Sequence, residues 1–149
     1  MTTSKFWLEF PDFKPNPHAP ITEEFKRLAA QRGWKPGSRT WRKRWNAFVN
    51  IEYDRVIGSR LASLEEWRKL CALFDLPGPF PSITKCKQAL STVHVNLVDL
   101  IECRQSDTKP KTFTSVAQLA KYTRDTGKFF HRTLAKQDKL LKVFLRRLA

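Results

Sequence analysis

The sequence lacks the features of a secreted, membrane-spanning or disulfide-stabilised protein. No window approaches the roughly 20 consecutive apolar residues that a membrane span needs. The opening stretch, MTTSKFWLEFPDFKP, holds acidic residues and prolines where a secretory signal needs an apolar run. The three cysteines, Cys71, Cys86 and Cys103, are an odd number and form no Cys-x-x-Cys pair. We therefore expect reduced thiols in an intracellular protein.

The common catalytic and cofactor patterns are also missing. The sequence has no glycine-rich phosphate loop, no Gly-x-Ser-x-Gly elbow and no paired-carboxylate pattern. The three histidines, His18, His94 and His131, stand at no zinc-like spacing from the cysteines. We therefore expect no enzyme activity, no metal and no other cofactor.

Two polar residues fall within predicted apolar stripes. Cys86, Leu90 and His94 share one face of a predicted helix. We favour a core thiol and a hydrogen-bonded core histidine over a pair of metal ligands. Glu52 must be buried or paired, and we favour a structural ion pair with a basic neighbour such as Lys87 over a general base.

The N-terminal segment is predicted to differ from the rest of the chain. Prolines at positions 11, 15, 17 and 20 forbid a regular helix over residues 1–20. Its large apolar side chains predict an extended arm packed on the protein's own core. They are Phe6, Trp7, Phe10 and Phe13, and an aromatic strip for a partner is the alternative.

Helix start and stop signals recur from Ile21 onward. Six helices are predicted, with boundaries at Thr22 to Gly33, Ser38 to about Ile57, Ser63 to about Phe74, Ser82 to about Arg104, Ser115 to Gly127, and about Thr133 to Leu148. The sequence has no convincing alternating strand. The predicted fold class is all-α, a single irregular bundle of about six helices over residues 21–149 with the arm over residues 1–20.

The chain carries a large excess of positive charge. Its 28 Lys and Arg residues against 14 Asp and Glu residues give a net charge of +14. Such a surplus costs self-repulsion in the folded state, and a phosphate backbone is the commonest partner that offsets it. An acidic protein or an anionic membrane surface is the next to consider.

The positive charge is concentrated in two places. The predicted last helix has a basic face, formed by Arg132, Lys136, Lys139, Lys142, Arg146 and Arg147. The other concentration surrounds the start of the second helix and comprises Lys35, Arg39, Arg42, Lys43 and Arg44. Cations at a helix N-terminus oppose the macrodipole, so this placement makes sense if a phosphate binds there. Trp41 and Trp45 fall on the predicted core face, whereas Trp34 is a possible base-stacking residue.

These features favour a nucleic-acid-binding protein that recognises the phosphate backbone. Binding should be largely independent of sequence, because no set of side chains is arranged to read base edges. The helix from Ser115 to Asp125 and the last helix, joined through Gly127, resemble a helix-turn-helix, which slightly favours DNA. The alternative is a non-enzymatic adaptor or scaffold whose basic face binds an acidic protein.

Several stretches of the chain resemble a family of small basic proteins found in filamentous fungi. They are Phe10-Pro-x-Phe13, Pro15-Asn-Pro, Ala19-Pro, Glu24-Phe-x-Arg-Leu-Ala29, Arg32-Gly-Trp-Lys-x-Gly-Ser38, Ser82-Ile-Thr-x-Cys-Lys87 and Val95-Asn-Leu-Val-Asp-Leu-Ile101. The family has no assigned activity, so the resemblance assigns no binding residue. It implies a eukaryotic protein that is one evolutionary unit, and it favours the nucleus over the cytoplasm.

Overall fold

A computed structural model describes residues 4–130. These residues form six α-helices, which are α1 (Ile21–Arg32), α2 (Arg39–Val56), α3 (Leu64–Leu73), α4 (Ile83–Leu90), α5 (Leu97–Ser106) and α6 (Val116–Thr126). Short 3-10 helices cover Lys5–Glu9 and Gly58–Arg60, and strands β1 (His94–Val95) and β2 (Thr112–Phe113) form a small sheet. The predicted all-α class is confirmed. The predicted last helix lies outside the described residues.

Contacts divide the chain into two compact units. Unit 1 comprises residues 1–55 and unit 2 comprises residues 56–149. This boundary falls at the end of α2, and the predicted arm over residues 1–20 belongs to unit 1.

The core of unit 1 is built mainly from aromatic rings. Phe25 of α1 is fully buried, and its ring lies 5.9 Å from that of Phe48 and 5.2 Å from that of Trp45. The four aromatic side chains of the arm are also buried, and Phe6 and Trp7 lie 4.8 Å and 4.9 Å from Phe48. The arm therefore packs on the helices of its own unit, and its aromatic residues are not a free strip for a partner.

Hydrogen bonds fix the ends of α1 and hold the arm beside it. The helix begins at Ile21, with Pro20 at the cap position, so the predicted cap Thr22 lies inside the first turn. It ends as predicted at Gly33, which has a positive φ of 73°. The buried carboxylate of Glu24 accepts the Asn16 N–H of the arm at 2.9 Å and also binds Arg27.

The helix predicted from Ser82 to about Arg104 is two helices, and that prediction was wrong. Helix α4 ends at Leu90, because the hydroxyls of Ser91 and Thr92 donate to the carbonyls of Gln88 and Ala89 and compete with further helix formation. The chain then forms β1, in which His94 is opposite Phe113 and Val95 opposite Thr112 of antiparallel β2.

Helix α5 begins at a new cap after β1. The Asn96 Oδ1 accepts the N–H groups of Val98 and Asp99 at 3.0 Å and 3.1 Å. The predicted caps of the neighbouring helices are present, since Ser63, Ser82 and Ser115 accept N–H groups at the starts of α3, α4 and α6. The fully buried side chains of unit 2 include Leu90, Leu100, Ile101 and Leu119.

Candidate nucleic-acid interface

A tight turn places Lys35 directly before the N-terminus of α2. The Ser38 N–H donates to the Lys35 carbonyl at 3.0 Å, with Pro36 and Gly37 between them. Gly37 has a φ of 80°, the conformation that the third residue of a type II turn requires. Ser38 then caps the helix, because its Oγ accepts the Trp41 N–H at 3.2 Å.

Four cations surround this helix start, and we name them the α2 cation cluster. They are Lys35, Arg39, Arg42 and Lys43, and each is exposed. Within residues 4–130 none of them has an ion-pair partner at 4.0 Å or less. One reason is visible in the sequence, which has no acidic residue from position 25 to position 51.

Backbone groups add to the positive potential at this position. The Arg39 and Thr40 N–H groups precede the first hydrogen bond of the helix, which runs from Arg42 N–H to the Ser38 carbonyl at 2.9 Å. No acceptor among the described residues meets these two groups. Free N–H groups at a helix start bind anions. The α2 cation cluster is therefore a surface on which side chains and backbone both favour a phosphate.

Arg44 differs from the other predicted binding residues because it has partners. Its Nη1 donates to Glu9 Oε2 at 2.7 Å. Its guanidinium carbon lies 5.5 Å from the centre of the Trp34 ring and 5.7 Å from that of Phe10. No motif or helical spacing predicts this contact, because Glu9 is 35 residues away.

The tryptophans of unit 1 are mostly occupied by neighbouring rings. Trp45 is buried, and Trp41 lies parallel to it at 6.0 Å, which agrees with their predicted place on the core face. Trp34 is half-buried, with the Phe10 ring 5.6 Å away and edge-on. A nucleobase would have to share the Trp34 ring with Arg44.

The second predicted basic surface lies outside the described residues. Its members are Arg132, Lys136, Lys139, Lys142, Arg146 and Arg147. The structure therefore describes only the surface around α2.

Unit 2 contains a polar cluster that sequence reasoning missed. Asp99 accepts the Tyr122 hydroxyl at 2.6 Å and the Lys128 ammonium at 2.7 Å, and Lys128 also donates to the Tyr122 oxygen at 3.2 Å. Burial and the bond to Asp99 raise the pKa of Tyr122. Burial alone would lower the pKa of Lys128, but its bonds to Asp99 and Tyr122 together raise that pKa above the usual range. The hydrogen bond from Tyr122 to Asp99 joins α6 to α5.

The surroundings of Glu52 and His94 differ from those predicted. The buried Glu52 carboxylate forms a bidentate pair with Arg55, at 2.9 Å and 3.0 Å, so its partner is a neighbour on the same helix rather than Lys87. The hydrogen bonds that Arg55 donates to the Glu52 carboxylate raise the pKa of Arg55. His94 lies in a strand, not on a helix face with Cys86, and its buried Nδ1 has no hydrogen-bond partner among the described residues.

Three further findings concern metal sites, membrane spans and similarity to known proteins. No group of three or more His, Cys, Asp and Glu side chains there has an arrangement that holds a metal ion. None of the helices in that range has both the length and the apolar character needed to cross a bilayer. Comparisons with protein-family models, curated proteins and solved structures find no match to this chain.

Proposed function

We propose that this protein binds nucleic acid by its phosphate backbone and that the α2 cation cluster is one of its binding surfaces. The observation that carries the proposal is the set of four exposed cations without carboxylate partners in residues 4–130, placed around the start of α2. A phosphate there would meet side-chain charge and free N–H groups at the same point.

The ring contacts of unit 1 support recognition of the backbone rather than of bases. Stacking on single strands needs exposed aromatic faces, whereas the tryptophans of unit 1 pack against other rings. We propose duplex DNA as the preferred form, with little dependence on sequence. The basic face predicted for the last helix remains a second predicted binding surface.

The salt dependence of binding tests this proposal quantitatively. For duplex DNA each neutralised phosphate contributes about −0.9 to the slope of log K against log[salt]. Four contacts therefore predict a slope of about −4, and cations of the last helix would make it steeper. A slope near zero would instead favour the adaptor that binds an acidic protein.

Charge reversal tests the surface itself. R39E/K43E removes two phosphate contacts. At a slope of about −0.9, each contact strengthens binding about eightfold when the salt concentration falls from 1 M to 0.1 M. Loss of both contacts should therefore weaken duplex binding about 60-fold at 0.1 M salt. The control K26E/K85E makes the same change in net charge at exposed lysines outside the cluster. Anisotropy titrations with a labelled duplex, a single strand and a structured RNA measure both variants. Equal losses in R39E/K43E and K26E/K85E, with the fold intact, would refute the surface.

We also propose a nuclear protein from a filamentous fungus, on the resemblance described above. A fluorescent fusion expressed in such a fungus should accumulate with the DNA stain. Uniform cytoplasmic fluorescence would contradict this location.

A further inference from the structure

Two carboxylates of the N-terminal arm form ion pairs with arginines that neighbour the α2 cation cluster in the sequence. Glu9 binds Arg44 at 2.7 Å, and Asp12 binds Arg32. Both guanidinium carbons lie over the Phe10 ring, at 4.9 Å for Arg32 and 5.7 Å for Arg44. The two arginines are thus oriented by the same buried ring, and each holds an anion.

The two arginines continue the α2 cation cluster in the sequence. Arg32 is separated from Lys35 only by Gly33 and Trp34, and Arg44 directly follows Lys43. A phosphate chain that contacts the cluster would therefore find further guanidinium groups beside it, already directed by cation–π contacts.

The arm does not depend on these carboxylates to stay in place. Phe6, Trp7, Phe10 and Phe13 are each at most 8% exposed, whereas the side chains of Glu9 and Asp12 are 64% and 61% exposed. An exposed ion pair is readily exchanged, because water and salt screen both charges. The pairs are therefore suited to exchange with a stronger anion while the aromatic residues keep the arm docked.

We propose that Glu9 and Asp12 act as phosphate mimics, which hold Arg44 and Arg32 in the free protein and are replaced there by phosphates of the bound nucleic acid. This inference rests on the proposed function. The arm would then limit the affinity for nucleic acid. Only a ligand with several phosphates would bind more tightly by displacing both carboxylates.

The test measures duplex affinity in variants of the full chain that remove one carboxylate charge. E9Q and D12N should each tighten binding by up to about fivefold, the factor that corresponds to about 1 kcal/mol at 1.4 kcal/mol per tenfold. The matched controls are E23Q and D54N, which remove the same charge from exposed unit 1 residues with no ion-pair partner among the described residues. Circular dichroism and urea unfolding establish that each variant is folded.

The outcomes separate this inference from the proposed function. Tighter binding by E9Q and D12N, but not by the controls, supports the mimic. Equal tightening by all four variants shows a general charge effect and overturns it. No tightening, while R39E/K43E loses binding, overturns the mimic but leaves the surface in place. No effect in any variant, R39E/K43E included, overturns both.

Discussion

Asp99→Asn is expected to destabilise unit 2 through the polar cluster that joins α5 to α6. The Asp99 carboxylate accepts both the Tyr122 hydroxyl and the Lys128 ammonium. An asparagine in its place has one acceptor oxygen and a donor NH2 group. One of the two partners therefore loses its acceptor, and Lys128 loses the neutralising charge.

The structure sets the size of the effect. A hydrogen bond to a charged group contributes about 1.5–3 kcal/mol, and breaking a fully buried ion pair costs about 3–5 kcal/mol. The Asp99 and Lys128 side chains are 10% and 24% exposed, and Glu102 at 4.0 Å remains as a weaker partner for Lys128. We therefore expect a loss of about 2 kcal/mol, below the range for a fully buried pair.

A double-mutant cycle isolates the interaction. D99N and K128M are each expected to lower the free energy of unfolding by about 2 kcal/mol. The loss in D99N/K128M should be at least about 1 kcal/mol smaller than the sum of the two single losses. In the double variant, each substitution removes a group whose partner is already gone. Urea unfolding followed by circular dichroism gives the free energies. Additive costs, or a D99N cost below about 0.5 kcal/mol, would refute the reasoning.

Three further predictions concern packing, backbone conformation and alkaline pH. Phe25→Ala should lower the free energy of unfolding by about 3–5 kcal/mol, because Phe25 is fully buried and contacts rings of the arm and α2. A loss below about 1 kcal/mol in urea unfolding would contradict this. Gly37→Ala should lower the free energy of unfolding by about 1–2 kcal/mol, because φ is 80° at this position. Ser38→Gly tests the neighbouring helix cap and should lower the same free energy by only a few tenths of a kcal/mol. Burial raises the pKa of the Cys71 thiol from 9.0 to about 12. As pH rises, the unfolded chain therefore loses the thiol proton before the folded protein does. The free energy of unfolding should fall between about pH 9 and pH 12 as a result. Cys71→Ala should flatten part of that fall in unfolding measured at several pH values, and an unchanged pH dependence would contradict it.

Local signals in the sequence were enough to place most helix ends. Ser63, Ser82 and Ser115 each accept an N–H group at a helix start, and Gly33 and Gly127 end helices with φ of 73° and 70°. Such ends are decided by the residue at the cap and its immediate neighbours, so they are readable without tertiary information.

The break between α4 and α5 could not be read in the same way. Apolar residues continue at helical spacing through Leu90, Val93 and Leu97, which predicts one uninterrupted helix. The side-chain hydrogen bonds of Ser91 and Thr92 and the cap formed by Asn96 compete with that pattern. Periodicity measures which face is apolar, not whether the backbone hydrogen bonds are continuous.

The partners of the candidate site were also beyond the sequence. The sequence predicted Lys35, Arg39, Arg42, Lys43 and Arg44 as binding residues. It did not predict the pairs of Glu9 with Arg44 and of Asp12 with Arg32, which join residues 35 and 20 positions apart. Neither follows from helical spacing or a turn motif. They result from the way the buried aromatic residues seat the arm on α1 and α2.

The start of α2 differs in charge from the starts of α1, α3 and α5, whereas α4 and α6 also lack an acidic residue in the first turn. The first turns of α1 and α3 contain Glu23 with Glu24 and Glu65 with Glu66, as the helix dipole favours. The first turn of α2 has no acidic residue and instead begins with Arg39. Each misplaced charge costs about 0.3–1 kcal/mol in helix stability. A bound phosphate reverses the sign of that effect, because it brings negative charge to the free N–H groups and neutralises the cations together. The local cost is therefore consistent with a surface shaped for an anionic partner.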